Sequence, residues 1–172
     1  MHLGIAWKID LRKAYDTVYW DFLDSMLQEL KFSLKFISWI RMCVSSPSFL
    51  VLINGEMVDY FEGKRGLQQG DPLSTFLFLI AMEYLSRLLA NLDRKAGFYY
   101  HPKCHRIYLK HFLFVDDLFL FSSGRPLSII ALKVTVERFL RSSGLSINLA
   151  KSQVFVAGIP DNKKASKSLV QP

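Results

Sequence analysis

The sequence predicts an α+β fold: a small antiparallel sheet with helices packed on one face. Three observations lead there. Short apolar runs alternate with period two, as in "IAWKID" (5–10), which marks strands. Longer stretches repeat their apolar residues every three or four positions, which marks amphipathic helices. Asn54-Gly55 between two alternating runs suits a type I′ turn and makes its flanking strands antiparallel neighbours.

The elements follow in order. Ile5, Trp7 and Ile9 share one strand face, with Asp10 at the strand's end. Val18, Phe22, Met26 and Leu30 form a helical stripe, with Asp16 or Thr17 placed to cap it. Ser33 is placed to cap a second helix carrying Leu34, Ile37, Ile40 and Val44. "SFLVLINGEMVDYFEG" (48–63) is the hairpin. A long helix opens with Asp71 at the N-cap and Pro72 at N1, and its stripe is Leu77, Ile80, Tyr84, Leu88 and Leu92. "HRIYLKHFLFVDDLFLF" (105–121) supplies two or three strands, and "PLSIIALKVTVERFLRSSG" (126–144) a helix with Gly144 at C′. "LSINLAKSQVFVAG" (145–158) closes the domain with short strands. Residues 1–158 read as one domain, and 159–172, poor in core residues, as a disordered tail.

Composition narrows the class of partner. The chain has 172 residues, 51% of them hydrophobic and 14% aromatic, enough for a packed core. Twenty-two Lys and Arg against fifteen Asp and Glu leave a net charge of +7, which favours a polyanion such as nucleic acid. Cys43 and Cys104 are too few for a disulfide framework, so a reducing, intracellular setting is expected. The N-terminus lacks the pattern of a secretory signal. The longest apolar runs, "FLFLIAM" and "FLFV", fall short of the ~20 residues a membrane helix needs, so no membrane partner is expected.

The chemistry concentrates in "HFLFVDDLFLF" (111–121), where Asp116 and Asp117 interrupt an apolar run. Aspartates favour turns, and a tight hairpin with both at its turn is one reading. Yet Asp-Asp lacks the glycine that two-residue hairpins prefer. The other reading joins them with Asp10, at the end of another apolar strand. Three carboxylates at neighbouring strand ends make an oxygen-only site of the kind Mg²⁺ prefers. Two such ions ~4 Å apart can stabilise a phosphoryl transfer. "HPKCH" (101–105) fits no standard zinc spacing and reads as a loop.

"KIDLRKAYDTVYWDFL" (8–23), "GLQQGDPLSTFLFLIAMEYLS" (66–86), "HFLFVDDLFLFSSG" (111–124) and "GLSINLAKSQVF" (144–155) occur in that order. Together they resemble the A, B, C and D motifs of reverse transcriptases of non-LTR (LINE-type) retrotransposons, particularly those of plants. The resemblance covers about residues 5 to 155. It implies a polymerase palm and an RNA-directed DNA polymerase that joins a dNTP to a primer 3′-hydroxyl. It also implies two Mg²⁺ ions (Mn²⁺ as a substitute), with an RNA template and a DNA primer as partners. A nuclear location follows by family analogy.

Residue by residue, the resemblance makes Asp10, Asp116 and Asp117 the metal ligands and catalytic carboxylates. Tyr15 matches an aromatic that excludes a 2′-hydroxyl, although an ordinary core tyrosine is the competing reading. Gln69 matches a contact to the incoming nucleotide, and Gly70 lets the backbone come close. Lys151 matches a lysine that protonates the leaving pyrophosphate, or is simply a solvated loop lysine. Asp16, Asp71 and Pro72 are explained by capping and take no catalytic role.

Three positions depart from the family pattern. Val115 replaces the usual alanine, Gln68 the usual arginine, and Thr75 a frequent proline. Fingers and thumb segments are not recognisable, so the chain is expected to be incomplete as a polymerase on its own. The rival expectations are a catalytically inactive retrotransposon-derived fragment that at most binds nucleic acid, and a metal-dependent nuclease using the same acids.

Overall fold

The computed structural model describes residues 3–94, 97–114 and 117–158. Their order is β1 (Gly4–Asp10), α1 (Ala14–Thr17), α2 (Trp20–Glu29), α3 (Leu34–Ser45), β2 (Ser48–Ile53) and β3 (Glu56–Glu62). Then follow α4 (Pro72–Ala90), β4 (His111–Phe114), β5 (Asp117–Ser123), α5 (Pro126–Ser143) and β6 (Gln153–Ala157). Short 3-10 turns lie at Asn91–Arg94 and His105–Ile107. The fold is α+β, as the alternation predicts. Its residues group into two compact units.

The first unit comprises Met1–Arg12, Leu85–Arg141 and Leu145–Pro172. It is built on a four-stranded sheet in the order β4-β5-β1-β6. β1 pairs antiparallel with β5 on one side, Gly4 opposite Ser123 through Asp10 opposite Asp117, and with β6 on the other. Because side chains alternate along a strand, this register sorts the sheet's two faces. Ile5, Trp7, Ile9, Leu118 and Leu120 are buried on one face. Leu132, Val136 and Phe139 of α5 and Leu85 and Leu89 of α4 are buried in the same unit. Burying each such side chain contributes ~1.5–3 kcal/mol. Between α5 and strands β1 and β6 a groove of about 780 Å³ remains, with Trp7, Ile9, Val136 and Val154 in its walls.

Lys8, Asp10, Asp117 and Phe119 take the opposite, open face. Phe112 pairs with Phe119 and Phe114 with Asp117, so β4 adds two phenylalanines there, 52% and 66% exposed. The outer strand β6 carries no charged residue, and Phe155 and Val156 on it are exposed. Sequence reading allowed several closing strands in 145–158. The structure has β6 and one isolated bridge, Leu11 to Ile147.

The second unit comprises Lys13–Tyr84 with Ser142–Gly144. Its core gathers Phe22, Leu23, Met26 and Leu27 of α2, Ile37 and Ile40 of α3, and Leu77, Phe78 and Ala81 of α4. Ser33 caps α3 as expected, its hydroxyl accepting from the Phe36 N–H. Arg41 of α3 reaches back to Asp21 and Asp24 of α2 at 2.8 and 3.0 Å.

The expected cap of α2 is not made. Asp16 and Thr17 lie inside the short α1, the Thr17 hydroxyl donates to the Lys13 carbonyl, and α2 starts after Tyr19 with no side-chain cap. Val18 leaves the helix yet is fully buried. Burial conserved the apolar period while the backbone broke it.

Asn54 and Gly55 both have positive φ, 54° and 87°, as a type I′ turn requires. β2 and β3 are exposed on both faces, with a single half-buried residue, Leu50. One further expectation needs correction. Individual apolar runs are short, but α4 as a whole is 19 residues with a mean hydropathy of 1.5 over its best window. By length and composition it could cross a membrane. Buried Leu77, Phe78, Ala81, Met82, Leu85 and Leu89 fit a core helix, which passes the same test. The proposed tail, 159–172, lies outside the described residues.

Gly66 fastens this unit. Its N–H donates to the Val18 carbonyl at 2.8 Å and its own carbonyl accepts the Trp20 indole N–H at 2.6 Å. Its φ is +95°, and a Cβ there would stand 2.6 Å from the Asp16 carbonyl oxygen. Gly66→Ala is therefore expected to destabilise the fold by at least the ~1–2 kcal/mol of a left-handed non-glycine residue. Chemical denaturation followed by circular dichroism checks this; an unchanged midpoint would contradict the packing described.

Candidate active site

In the first unit the register of β1 and β5 sets Asp10 directly opposite Asp117. Opposed residues of an antiparallel pair point to the same face with Cβ atoms ~4.5–5.5 Å apart. Two carboxylates so placed repel each other, so the site calls for positive charge. Lys8 supplies it here, its Nζ 3.2 Å from Asp117 Oδ2. Lys8 lies two residues before Asp10 on the same strand face, and its ammonium also sits over the Phe119 ring. Sequence reading missed Lys8. The signal was available, because the alternation that assigns Trp7 and Ile9 to the covered face assigns Lys8 and Asp10 to the open one.

The backbone of Asp10 is held on both sides. Its N–H donates to Ser152 Oγ at 3.1 Å, and its carbonyl accepts the Asn148 N–H at 2.8 Å. Ser152 Oγ donates in turn to the Asn148 carbonyl, closing the turn that carries Lys151. Lys151 is exposed, and its neighbour Ser152 touches the Asp10 backbone. Fourth-motif and first-motif segments are thus joined by hydrogen bonds.

Asp117 is not in a turn. It is the first residue of β5, paired with Phe114, which corrects the reading that put both aspartates at the hairpin tip. The strand extends this far because the Asp10–Asp117 pairing continues the ladder to the end of β1. Asp116 lies outside the described residues.

Oxygen-only donors on one face suit a hard cation such as Mg²⁺, and their mutual repulsion is what a divalent ion would relieve. Among the described residues, no group of three or more His, Cys, Asp or Glu could hold a metal ion. Asp10 and Asp117 therefore offer two ligands, and Asp116 would have to supply the third.

The other nominated residues belong to the second unit. Tyr15 is half-buried and stacks on Phe78 at 4.7 Å with the rings 20° apart. Its carbonyl accepts the Leu67 N–H at 2.7 Å, tying the start of the 66–71 loop to α1. Gln69 is exposed, and Gly70 has φ +90°. A Cβ on Gly70 would meet nothing within 4 Å, so its backbone angle, rather than crowding within the chain, calls for glycine there.

Asp71 caps α4 as expected, accepting from the Leu73 and Ser74 N–H groups and from the Ser74 hydroxyl. The hydroxyl bond, with help from those N–H groups, lowers its pKa below the ordinary carboxylate value. That support is present at neutral pH and is lost as pH falls through the depressed pKa. Asp16 is exposed in α1 and takes no part in the carboxylate pair.

Exposed ion pairs contribute ~0–1 kcal/mol, and Lys8 with Asp117 should lie near the upper end because Asp10 stands beside them. Lys8→Gln is expected to lower stability by up to about 1 kcal/mol, and Asp10→Asn added to it should restore the loss. A double-mutant cycle read by urea denaturation at neutral pH measures this. A second substitution that adds a further loss would deny the cross-strand repulsion.

The sequence and the fold were compared with known proteins. Residues 4–169 match the reverse transcriptase (RNA-dependent DNA polymerase) family. The chain is 30% identical over 145 residues to the retrovirus-related Pol polyprotein from type-1 retrotransposable element R2 of Popillia japonica, covering 84% of this chain and 20% of that protein. It is 39% identical over 71 residues to an uncharacterized mitochondrial protein of Arabidopsis thaliana, covering 40% of this chain and 57% of that one. In fold it is similar to telomerase from Candida tropicalis, solved with a fragment of telomeric RNA. The TM-score is 0.67 at 17% identity, over 91% of this chain and 26% of that one. The chain thus spans about a fifth of the R2 polyprotein and a quarter of the telomerase chain.

Proposed function

Because this chain belongs to the reverse transcriptase (RNA-dependent DNA polymerase) family, we propose that it is the palm of an RNA-directed DNA polymerase from a non-LTR retrotransposon, of plant type. The observation that carries the reading is Asp10 facing Asp117 at the end of two paired strands, on the uncovered side of the sheet. A structural sheet gains nothing from opposed carboxylates, whereas phosphoryl transfer needs a site that gathers cations. Support for the retrotransposon class comes from the R2 relative, and for the plant type from the motif resemblance and the Arabidopsis relative.

In this reading Asp10, Asp116 and Asp117 would hold two divalent ions, Mg²⁺ or Mn²⁺. When bound, these supply charge neutralisation at the transferring phosphoryl group. Lys8, paired with Asp117, is the counter-charge that such ions would compete with. The primer 3′-hydroxyl gives up its proton to solvent and attacks the α-phosphate of a dNTP, a new phosphodiester bond forms, and the bond to pyrophosphate breaks as it leaves. Lys151 gives its proton to that leaving group. Tyr15 walls off the position of a 2′-hydroxyl, its ring stiffened by the Phe78 stack, and selects deoxynucleotides by exclusion. Gln69 contacts the incoming nucleotide, and Gly70 leaves room for it.

In this reading, grip on the triphosphate and on the duplex is the work of fingers and thumb segments, which are not recognisable in these residues. Positioning supplies much of the rate in such transfers, and a 1 Å misplacement can cost ~100-fold.

The test is primer extension on an RNA template with Mg²⁺, using the chain alone and the chain joined to the segments that flank it in its reading frame. The expected result is synthesis by the longer protein only. In it, Asp10→Asn and Asp116→Asn should lower the rate at least ~100-fold, and Tyr15→Ala should admit ribonucleotides with little loss of dNTP use. No synthesis by the longer protein would remove the polymerase reading. Robust synthesis by the chain alone would remove the dependence on flanking segments.

A further inference from the structure

The first unit carries a second feature that the carboxylate site does not use. From Gly97 to Phe114 there is no Asp or Glu, while Lys103, Arg106, Lys110, three histidines, three tyrosines and three phenylalanines occur. The segment is anchored at the sheet end farthest from Asp10 and Asp117. Ser123, opposite Gly4, donates its N–H to the Tyr99 carbonyl at 2.9 Å. Six residue steps along β1 separate the two ends, roughly 20 Å.

The anchoring is rigid. Ser128 at the start of α5 accepts the Tyr99 N–H at 3.0 Å, and its hydroxyl lies 3.2 Å from that of Ser123. His101 lies so close over Gly4 that a Cβ there would overlap its ring. The Arg125 guanidinium stacks on Tyr99, 3.7 Å from the ring centre. Further out, Tyr100, His105 and Tyr108 form a three-ring cluster with centres 5.6–6.0 Å apart.

Tyr108 is the outlier. It ends the 3-10 turn in the left-handed region, φ 53° and ψ 29°, although a bulky residue is disfavoured there. Its side chain is nonetheless 66% exposed. Its contacts with Tyr100 and His105 hold the ring without burying it, so most of its surface stays open to a partner. Lys103 and Arg106 precede it in the same segment, exposed and without an ion-pair partner among the described residues.

We infer that the 99–108 segment is an accessory site for single-stranded nucleic acid, in which Tyr108 stacks on an unpaired base and Lys103 and Arg106 hold the flanking phosphates. Stacking on an exposed, pre-set ring together with phosphate neutralisation is how single strands are bound without sequence preference. RNA and DNA single strands share this chemistry. The inference goes beyond the polymerase reading and uses none of its carboxylates, so either can fail alone.

The test measures fluorescence anisotropy of labelled single-stranded RNA and single-stranded DNA oligonucleotides with the whole chain, at low and high salt. Tyr108→Gly should weaken binding about fivefold or more, the lower end for loss of one stacked base, while leaving the melting temperature unchanged or higher. The pair Lys103→Gln with Arg106→Gln should weaken binding and flatten its salt dependence by about 0.7 for each phosphate that is no longer neutralised. The pair Lys31→Gln with Lys35→Gln, equal in charge and in the other unit, should do markedly less. A stronger effect on the RNA arm than on the DNA arm identifies RNA as the occupant, and the reverse identifies DNA. Unchanged affinity in Tyr108→Gly with its fold intact would overturn the site. So would equal losses from the two double substitutions, or duplex DNA competing as well as single strands, since each means that overall charge alone does the binding.

Discussion

Everything functional in the first unit depends on the register between β1 and β5. Pairing fixes which residues face helices and which face solvent, and a slip of one position would exchange the two sets. In the observed register Ile5, Trp7 and Ile9 enter the core together with Leu118 and Leu120. That burial, worth ~1.5–3 kcal/mol for each side chain, is what the opposed carboxylates are set against. Asp10 and Asp117 face each other because their neighbours must be buried. Core packing thus enforces an electrostatic arrangement that the carboxylates alone would avoid.

Hydrogen bonds then make the arrangement specific. The Asn148–Ser152 turn grips both backbone groups of Asp10, so the end of β1 is held where a frayed strand end would otherwise be expected. Lys8 completes the open face by neutralising Asp117 at 3.2 Å. One lysine two positions upstream gives the two acids a counter-charge from their own strand face.

Much of this was legible in the sequence, for reasons that can be named. The Asn54-Gly55 turn, the Ser33 cap, the Asp71 cap and the Gly144 stop are local chemistry, decided within a few residues, and the structure has all four. The order and class of the elements followed from apolar periodicity. What sequence missed was decided at longer range. Val18 keeps its place in the apolar stripe while leaving the helix, because burial counts volume and not backbone angle. Asp117 belongs to a strand rather than a turn because β1, more than 100 residues earlier, extends the ladder that far. Lys8 was overlooked because a lone lysine in an apolar strand draws attention only once its register partner is known.

The uncharged outer strand β6 has a colloidal consequence. Its exposed Phe155 and Val156 border a row of backbone groups with no neighbouring strand among the described residues, the kind of edge along which separate molecules adhere. What keeps such edges apart in dilute solution is the mutual repulsion of molecules carrying +7. A bound polyanion cancels that charge, so the ligand that the basic surface attracts also removes the barrier to self-adhesion. Solutions of this protein should then be least clear near the mixing ratio where phosphate and protein charges balance, and should clear again with polyanion in excess.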